Sequence, residues 1–125
     1  MTKAATLQKF YESFGLPVYE ENSVPTGKNA PSYPYITYNV ATDSLGNDIP
    51  ISASLWYRDS SWVSANAKSE EISAAIGQGG KILPCQGGAI WIKRGSPFSQ
   101  SMGDPEDDLI KRKYINITAE FFTAD

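Results

Sequence analysis

The stretch YINITAEFF, residues 114–122, alternates without a break: Ile115, Ile117, Ala119 and Phe121 occupy every second position, and Tyr114, Asn116, Thr118 and Glu120 fall between them. Successive side chains of a β-strand point to opposite faces, so a period of two predicts a strand with one apolar face and one polar, aromatic face. Such a strand belongs to a sheet that is covered on one side, which calls for partner strands and for something to pack on the apolar face.

Partner strands lie upstream. AIWIKR (89–94) sets Ile90 and Ile92 against Ala89, Trp91 and Lys93. KILPC (81–85) is a shorter strand that Pro84 confines to an edge or an end, because proline cannot donate to a ladder. The QGG between these two runs predicts a tight turn. PISASLWYR (50–58) places Ile51, Ala53, Leu55 and Tyr57 inward and Ser52, Ser54, Trp56 and Arg58 outward. YITYNVA (35–41) places Ile36, Tyr38 and Val40 opposite Tyr35, Thr37 and Asn39, and the turn-rich DSLGND (43–48) suits a hairpin between these two strands.

Two segments have helical spacing instead. Leu7, Phe10, Tyr11 and Phe14 recur at i, i+3, i+4, i+7, predicting a helix over about 2–14 that Gly15 and Pro17 stop. Ala65, Ile72 and Ile76 share one face of a second helix over about 62–76, although Lys68 and Ser69 interrupt that face. Ser60 or Ser61 would cap it and Gly77 would end it. The order α-β-β-α-β-β-β with short connections predicts a single α+β domain, a largely antiparallel sheet of about five strands with two packed helices.

Composition agrees with one folded domain. A chain of 125 residues hides about two-thirds of the surface it exposes when unfolded, and 41% hydrophobic with 20% charged residues is not a disordered composition. Fifteen aromatic residues, seven of them Tyr, favour strands over a helical bundle. The net charge of −3 argues against gripping nucleic acid by overall charge, which depends on neutralising phosphates. No apolar run approaches the roughly 20 residues of a membrane-spanning helix, so no membrane partner is expected. MTKAATLQKFYESF lacks the apolar core and cleavage site of a signal peptide. With Cys85 as the single cysteine no intrachain disulfide can form, and a reducing cytoplasm is the expected place of synthesis. The chain contains no histidine, which removes Ser–His and Cys–His nucleophiles and His-ligated metal sites.

The most provocative run is GDPEDDLIKR (103–112), with Asp104, Glu106, Asp107 and Asp108 inside five positions. A calcium loop of the EF-hand kind needs Gly at its sixth position and Glu at its twelfth, where this chain has Leu109 and Ile115. A Mg²⁺ site needs only one or two carboxylates plus substrate phosphates, but no phosphate-cradling motif accompanies the run. It reads as a solvated loop over 97–109, balanced by the basic residues Lys111, Arg112 and Lys113. Loops of that length in small domains are usually functional or disordered. GQGGK (77–81) follows a helix instead of a strand and reads as helix termination. Cys85, with no histidine to activate it, reads as a packing residue. Trp56 and Trp91 point outward on their strands, where helices or a partner must cover them, and the tyrosines of YPYITY (33–38) would stack on bases only with basic residues among them. No catalytic, cofactor-binding or metal-binding set emerges.

The order of elements and local phrasing resemble the tail-terminator, or tail-completion, proteins of long-tailed bacteriophages and prophages. The similarity runs from FYESFGLPVYEENSVP through YPYITYNVA and PISASLWYRDSSW to GGAIWIKRGSPFSQSMGDPEDDLIKRKYINITAEFFT, nearly the whole chain. The resemblance implies a structural virion protein without cofactor or reaction. It would be made in the bacterial cytoplasm and form a homo-oligomeric ring, a hexamer in the family, on the end of the tail tube. That ring stops tube polymerisation and presents the surface that joins the head. Its partners would be its own copies, the major tail tube protein and a head-side neck or connector protein, with DNA only passing through the lumen. Regional roles carry over: the 97–109 loop, with Phe98, Met102, Asp104, Glu106, Asp107 and Asp108, would reach a neighbour or the tube and become ordered there. Lys111, Arg112 and Lys113 would touch an adjacent subunit, and exposed Trp56 and Trp91 would suit interface hot spots. Three other readings remain open: a head-side neck adaptor or stopper, a Mg²⁺-dependent cytoplasmic enzyme, and a tyrosine-rich nucleic-acid-binding module.

Overall fold

Residues 114–122 lie in the strand around which the protein is built. A computed structural model, which describes residues 1–39, 41–43, 45 and 48–124, contains α1 (Lys3–Glu12), β1 (Val18–Glu20), β2 (Tyr35–Tyr38), β3 (Ile49–Arg58), α2 (Val63–Ile76), β4 (Lys81–Cys85), β5 (Gly88–Gly103) and β6 (Ile110–Thr123), with a short 3-10 turn at Gly27–Asn29. The sheet order is β1-β2-β3-β6-β5-β4, so β6 is central and pairs antiparallel along both sides. Among the described residues only β1 and β2 run parallel. The domain is α+β as the sequence implies, with six strands among the described residues where the pattern predicts about five.

The alternation of β6 becomes two faces. Ile115, Ile117, Ala119 and Phe121 are fully buried, together with Ile51, Ala53 and Leu55 of β3, Ile90 and Ile92 of β5, and Ile36 of β2. Both helices pack here. α1 contributes Leu7, Phe10 and Tyr11, with Phe14 just beyond its end, and α2 contributes Ala65, Ile72 and Ile76. Burying each such aliphatic or aromatic side chain contributes about 1.5–3 kcal/mol, so this single face carries most of the stabilisation. α1 touches β1 and also β4, the two edges of the sheet. The sheet is therefore curled, and α1 lies across its opening.

Local chemistry explains the helix ends. Thr2 caps α1 by accepting the Ala5 N–H at 3.1 Å. Lys68, which interrupts the apolar face of α2, sends its ammonium to the Phe14 carbonyl at 2.9 Å and so satisfies an orphan acceptor after α1. Ser69 is buried within that face. Ser60 and Ser61 do not occupy the cap position of α2. Trp62 does, without a side-chain cap, and the Ser61 hydroxyl takes the Val63 N–H from one residue earlier. Gly77 ends α2 at φ 79°, a conformation that only glycine adopts without strain.

Three expectations change. β1 was hidden because three residues are too few to show a period; it is held by pairing with β2 and by the Gln8 amide donating to the Val18 carbonyl. The expected loop over 97–109 is mostly strand. β5 continues to Gly103, pairing Ser99–Gly103 with Lys111–Ile115, and only 104–109 form the turn. A bulge between Arg94 and Ser99 carries the irregular residues. There Gly95 passes so close to Asn116 that a Cβ would sit 2.9 Å from its backbone oxygen. The strand over 35–41 ends at Tyr38, and the hairpin expected at DSLGND, like Val40, lies in part outside the described residues.

Candidate interface on the outer sheet face

Because both helices pack on one face, the opposite face is left open to solvent, and register decides what gathers on it. Tyr35 pairs with Trp56, Trp56 with Arg112, and Arg112 with Met102, giving one row across β2, β3, β6 and β5. Within that row Tyr35 and Trp56 are stacked at 6.2 Å and 16°, and the Arg112 guanidinium lies 4.9 Å from the Trp56 ring and 5.4 Å from the Tyr114 ring. Tyr19 and Tyr33 extend the aromatic group around Tyr35. Polar anchors fix these planes: the Trp56 indole N–H donates to Thr37 Oγ1 at 2.8 Å, and Arg112 Nε donates to Ser54 Oγ at 3.0 Å. Burial, followed by the neighbouring Tyr33, raises the Tyr35 pKa, so its hydroxyl stays neutral.

A depression of about 180 Å³ opens beside this row, lined by Trp56, Met102, Gly103, Asp104, Ile110 and Arg112. Four of the residues singled out from sequence thus meet at one place: Trp56, Met102, Asp104 and Arg112. The others separate. Trp91 lies farther along the same face, stacked with Phe122 at 6.4 Å, under Lys93 at 4.3 Å and donating to the Gly79 carbonyl. Phe98 is not an outward contact; it is half-buried against the core, because the bulge turns it inward. The basic run divides, since neighbours on a strand face opposite ways. Arg112 joins the outer face, whereas Lys111 and Lys113 flank Trp62 on the other side at 5.8 and 5.9 Å.

The four carboxylates build a turn. Asp104 Oδ1 accepts the backbone N–H groups of Glu106 and Asp107 at 2.8 and 3.2 Å, and Asp107 Oδ1 accepts that of Leu109 at 2.9 Å. Asp107 also pairs with Arg58 at 3.3 Å. The Leu109 backbone N–H and then Arg58 hold the Asp107 carboxyl below its ordinary range. Lys111 donates to the Asp108 carbonyl, and the Asp59 N–H reaches the Leu109 carbonyl at 2.8 Å. The turn is thus ordered by its own hydrogen bonds. Glu106 and Asp108 are left exposed. Among the described residues no group of three or more His, Cys, Asp or Glu is placed to hold a metal, and no helix is long and apolar enough to cross a membrane.

Sequence reasoning found Trp56 and the run containing Arg112 but not their meeting. The alternation of β6, extended backwards from Tyr114, sets Arg112 outward and separates it from both lysines; that signal was present in the sequence. Which residue of β3 faces Arg112 is a matter of register, which no single strand specifies.

Compared with known proteins, the chain matches no family model and no curated protein.

Proposed function

We propose that this protein is a structural component of a phage tail, a terminator that assembles as a ring on the end of the tail tube, stops its growth and presents the surface to which the head is joined. The observation that carries this reading is the open sheet face, where a stacked Tyr35–Trp56–Arg112 row stands beside a well-ordered acidic turn. Aromatic residues and Arg are the side chains enriched at interface centres, and a face on which they are fixed in advance loses little entropy on binding. The carboxylates support the same reading, because those of Asp104 and Asp107 serve the turn itself. In this reading the protein carries out no reaction and needs no cofactor; its partners are its own copies, the tube protein and a head-side connector.

The test is negative-stain microscopy of the purified protein mixed with polymerising tail-tube protein. Rings at tube ends and tubes of arrested length are the expected result. Tubes that grow unchanged and bare would overturn the reading, and binding to the head-side connector alone would reassign the protein as a neck adaptor.

A further inference from the structure

Away from the outer face, the crossing of α1 over the sheet edge leaves a groove of about 220 Å³ between α1 and β4. Its floor is apolar, formed by Phe10, Leu83 and Pro84, and Lys9 and Lys81 are the cations in its lining. Both lysines are exposed, and neither is ion-paired among the described residues. β4 is the terminal strand of the sheet, so its outer side has no strand partner among the described residues. The depression beside Trp56 carries both signs, Arg112 and Asp104, and selects no charge. The groove carries one sign over an apolar floor, and so selects a segment that is both acidic and apolar.

One such segment is on the surface of the chain itself. The β5–β6 turn presents Pro105, Glu106, Asp108 and Leu109, all exposed, and the Glu106 and Asp108 carboxylates have no partner within the turn. Its shape is already fixed by Asp104 and Asp107, so docking would order little that is not ordered beforehand. We propose that the α1–β4 groove receives the acidic β5–β6 turn of a second copy of this chain, with Glu106 and Asp108 against Lys9 and Lys81 and Leu109 on the apolar floor. The inference rests on the ring reading above and names the contact that closes the ring.

The placement of the two patches determines the symmetry. β4 pairs with Gly88–Ile92 at the start of β5, whereas the turn follows Gly103 at its far end. The two patches are roughly 30 Å apart along the strands at about 3.3 Å per residue. They are different surfaces, so copies join head to tail, an arrangement that closes into a ring when the rotation per step divides a full turn.

Sedimentation velocity on the full chain, over a concentration series at low and high salt, tests this contact. The variant Lys9→Glu/Lys81→Glu and the variant Glu106→Lys/Asp108→Lys should each associate at least tenfold more weakly than the wild type, with unchanged circular dichroism. Mixed in equal amounts, they should recover wild-type association to within about threefold, because each then offers a groove opposite in sign to the other's turn. Variants that associate as tightly as the wild type, a mixture that shows no recovery, or a wild type that stays monomeric throughout would each overturn the docking. The two readings fail separately. If Lys9→Glu/Lys81→Glu still caps tubes as rings, the groove contact is wrong and the terminator reading stands. Charge-dependent self-association of a protein that ignores tubes would preserve the contact and remove the terminator.

Discussion

On the inner face of the sheet, Ile51, Leu55, Ile92, Ile115 and Ile117 are fully buried under two helices; on the outer face of the same strands, Trp56, Arg112, Tyr114 and Asn116 are only half-buried, with no helix above them. The inner set needs nothing but volume and apolarity. The outer set depends on partners: Trp56 on Tyr35, Thr37 and Arg112, and Asn116 on the Pro97 carbonyl at 2.9 Å. A half-open sheet thus has one face stabilised by burial and another organised by directed contacts between side chains. The second kind of face can exchange its contacts for those of a partner without unfolding the domain.

Substitutions that separate these two kinds of stabilisation sharpen the contrast. Ile117→Ala on the inner face should cost about 2–5 kcal/mol in urea unfolding, since it leaves a cavity where the helices and sheet meet. Trp56→Ala on the outer face removes a larger side chain yet should cost less, about 1–2 kcal/mol, because it gives up stacking, one hydrogen bond and partial burial. A double-mutant cycle of Trp56→Ala with Arg112→Ala should reveal a coupling of about 0.5–1 kcal/mol. Equal costs at positions 56 and 117 would break the contrast and mean that the outer face is as much a core as the inner one.

The same contrast explains which parts of the structure were legible in the sequence. Burial leaves a period, and the strands of the inner face showed it: β6, β3 and the first half of β5 were readable from alternation, and α1 from its i, i+3, i+4, i+7 spacing. The second half of β5, SPFSQSMG, has no such period. It is strand because β6 is long enough to pair with it, and the Arg94–Ser99 bulge absorbs the residues that do not fit. Directed contacts leave no period. The Tyr35–Trp56–Arg112–Met102 row arises from the registers of three strand pairs, none of which can be read from one strand alone. The acidic run reads from its residue types only as part of a solvated loop; that it closes as a short turn comes from Asp104 and Asp107 accepting backbone N–H groups within it.

The inner face has one residue that violates its own rule, and it gives the smallest and most pointed test. Tyr11 is 1% exposed, its ring is 5.0 Å from that of Tyr38, and its hydroxyl has no hydrogen-bond partner among the described residues. A buried hydroxyl left unmade is a liability on a face stabilised only by apolarity, so Tyr11→Phe should raise stability by about 1 kcal/mol instead of lowering it. Burial, and then the neighbouring Tyr38, raises the Tyr11 pKa above its ordinary value near 10. The folded state therefore holds this proton more tightly than the unfolded chain, and its contribution is fully present below about pH 10 and lost as pH rises above it. The advantage of Tyr11→Phe over the wild type should consequently widen in alkaline urea titrations. Constant or shrinking advantage across that range would mean the hydroxyl finds a partner in solution, and the inner face would then be less purely apolar than its alternation suggests.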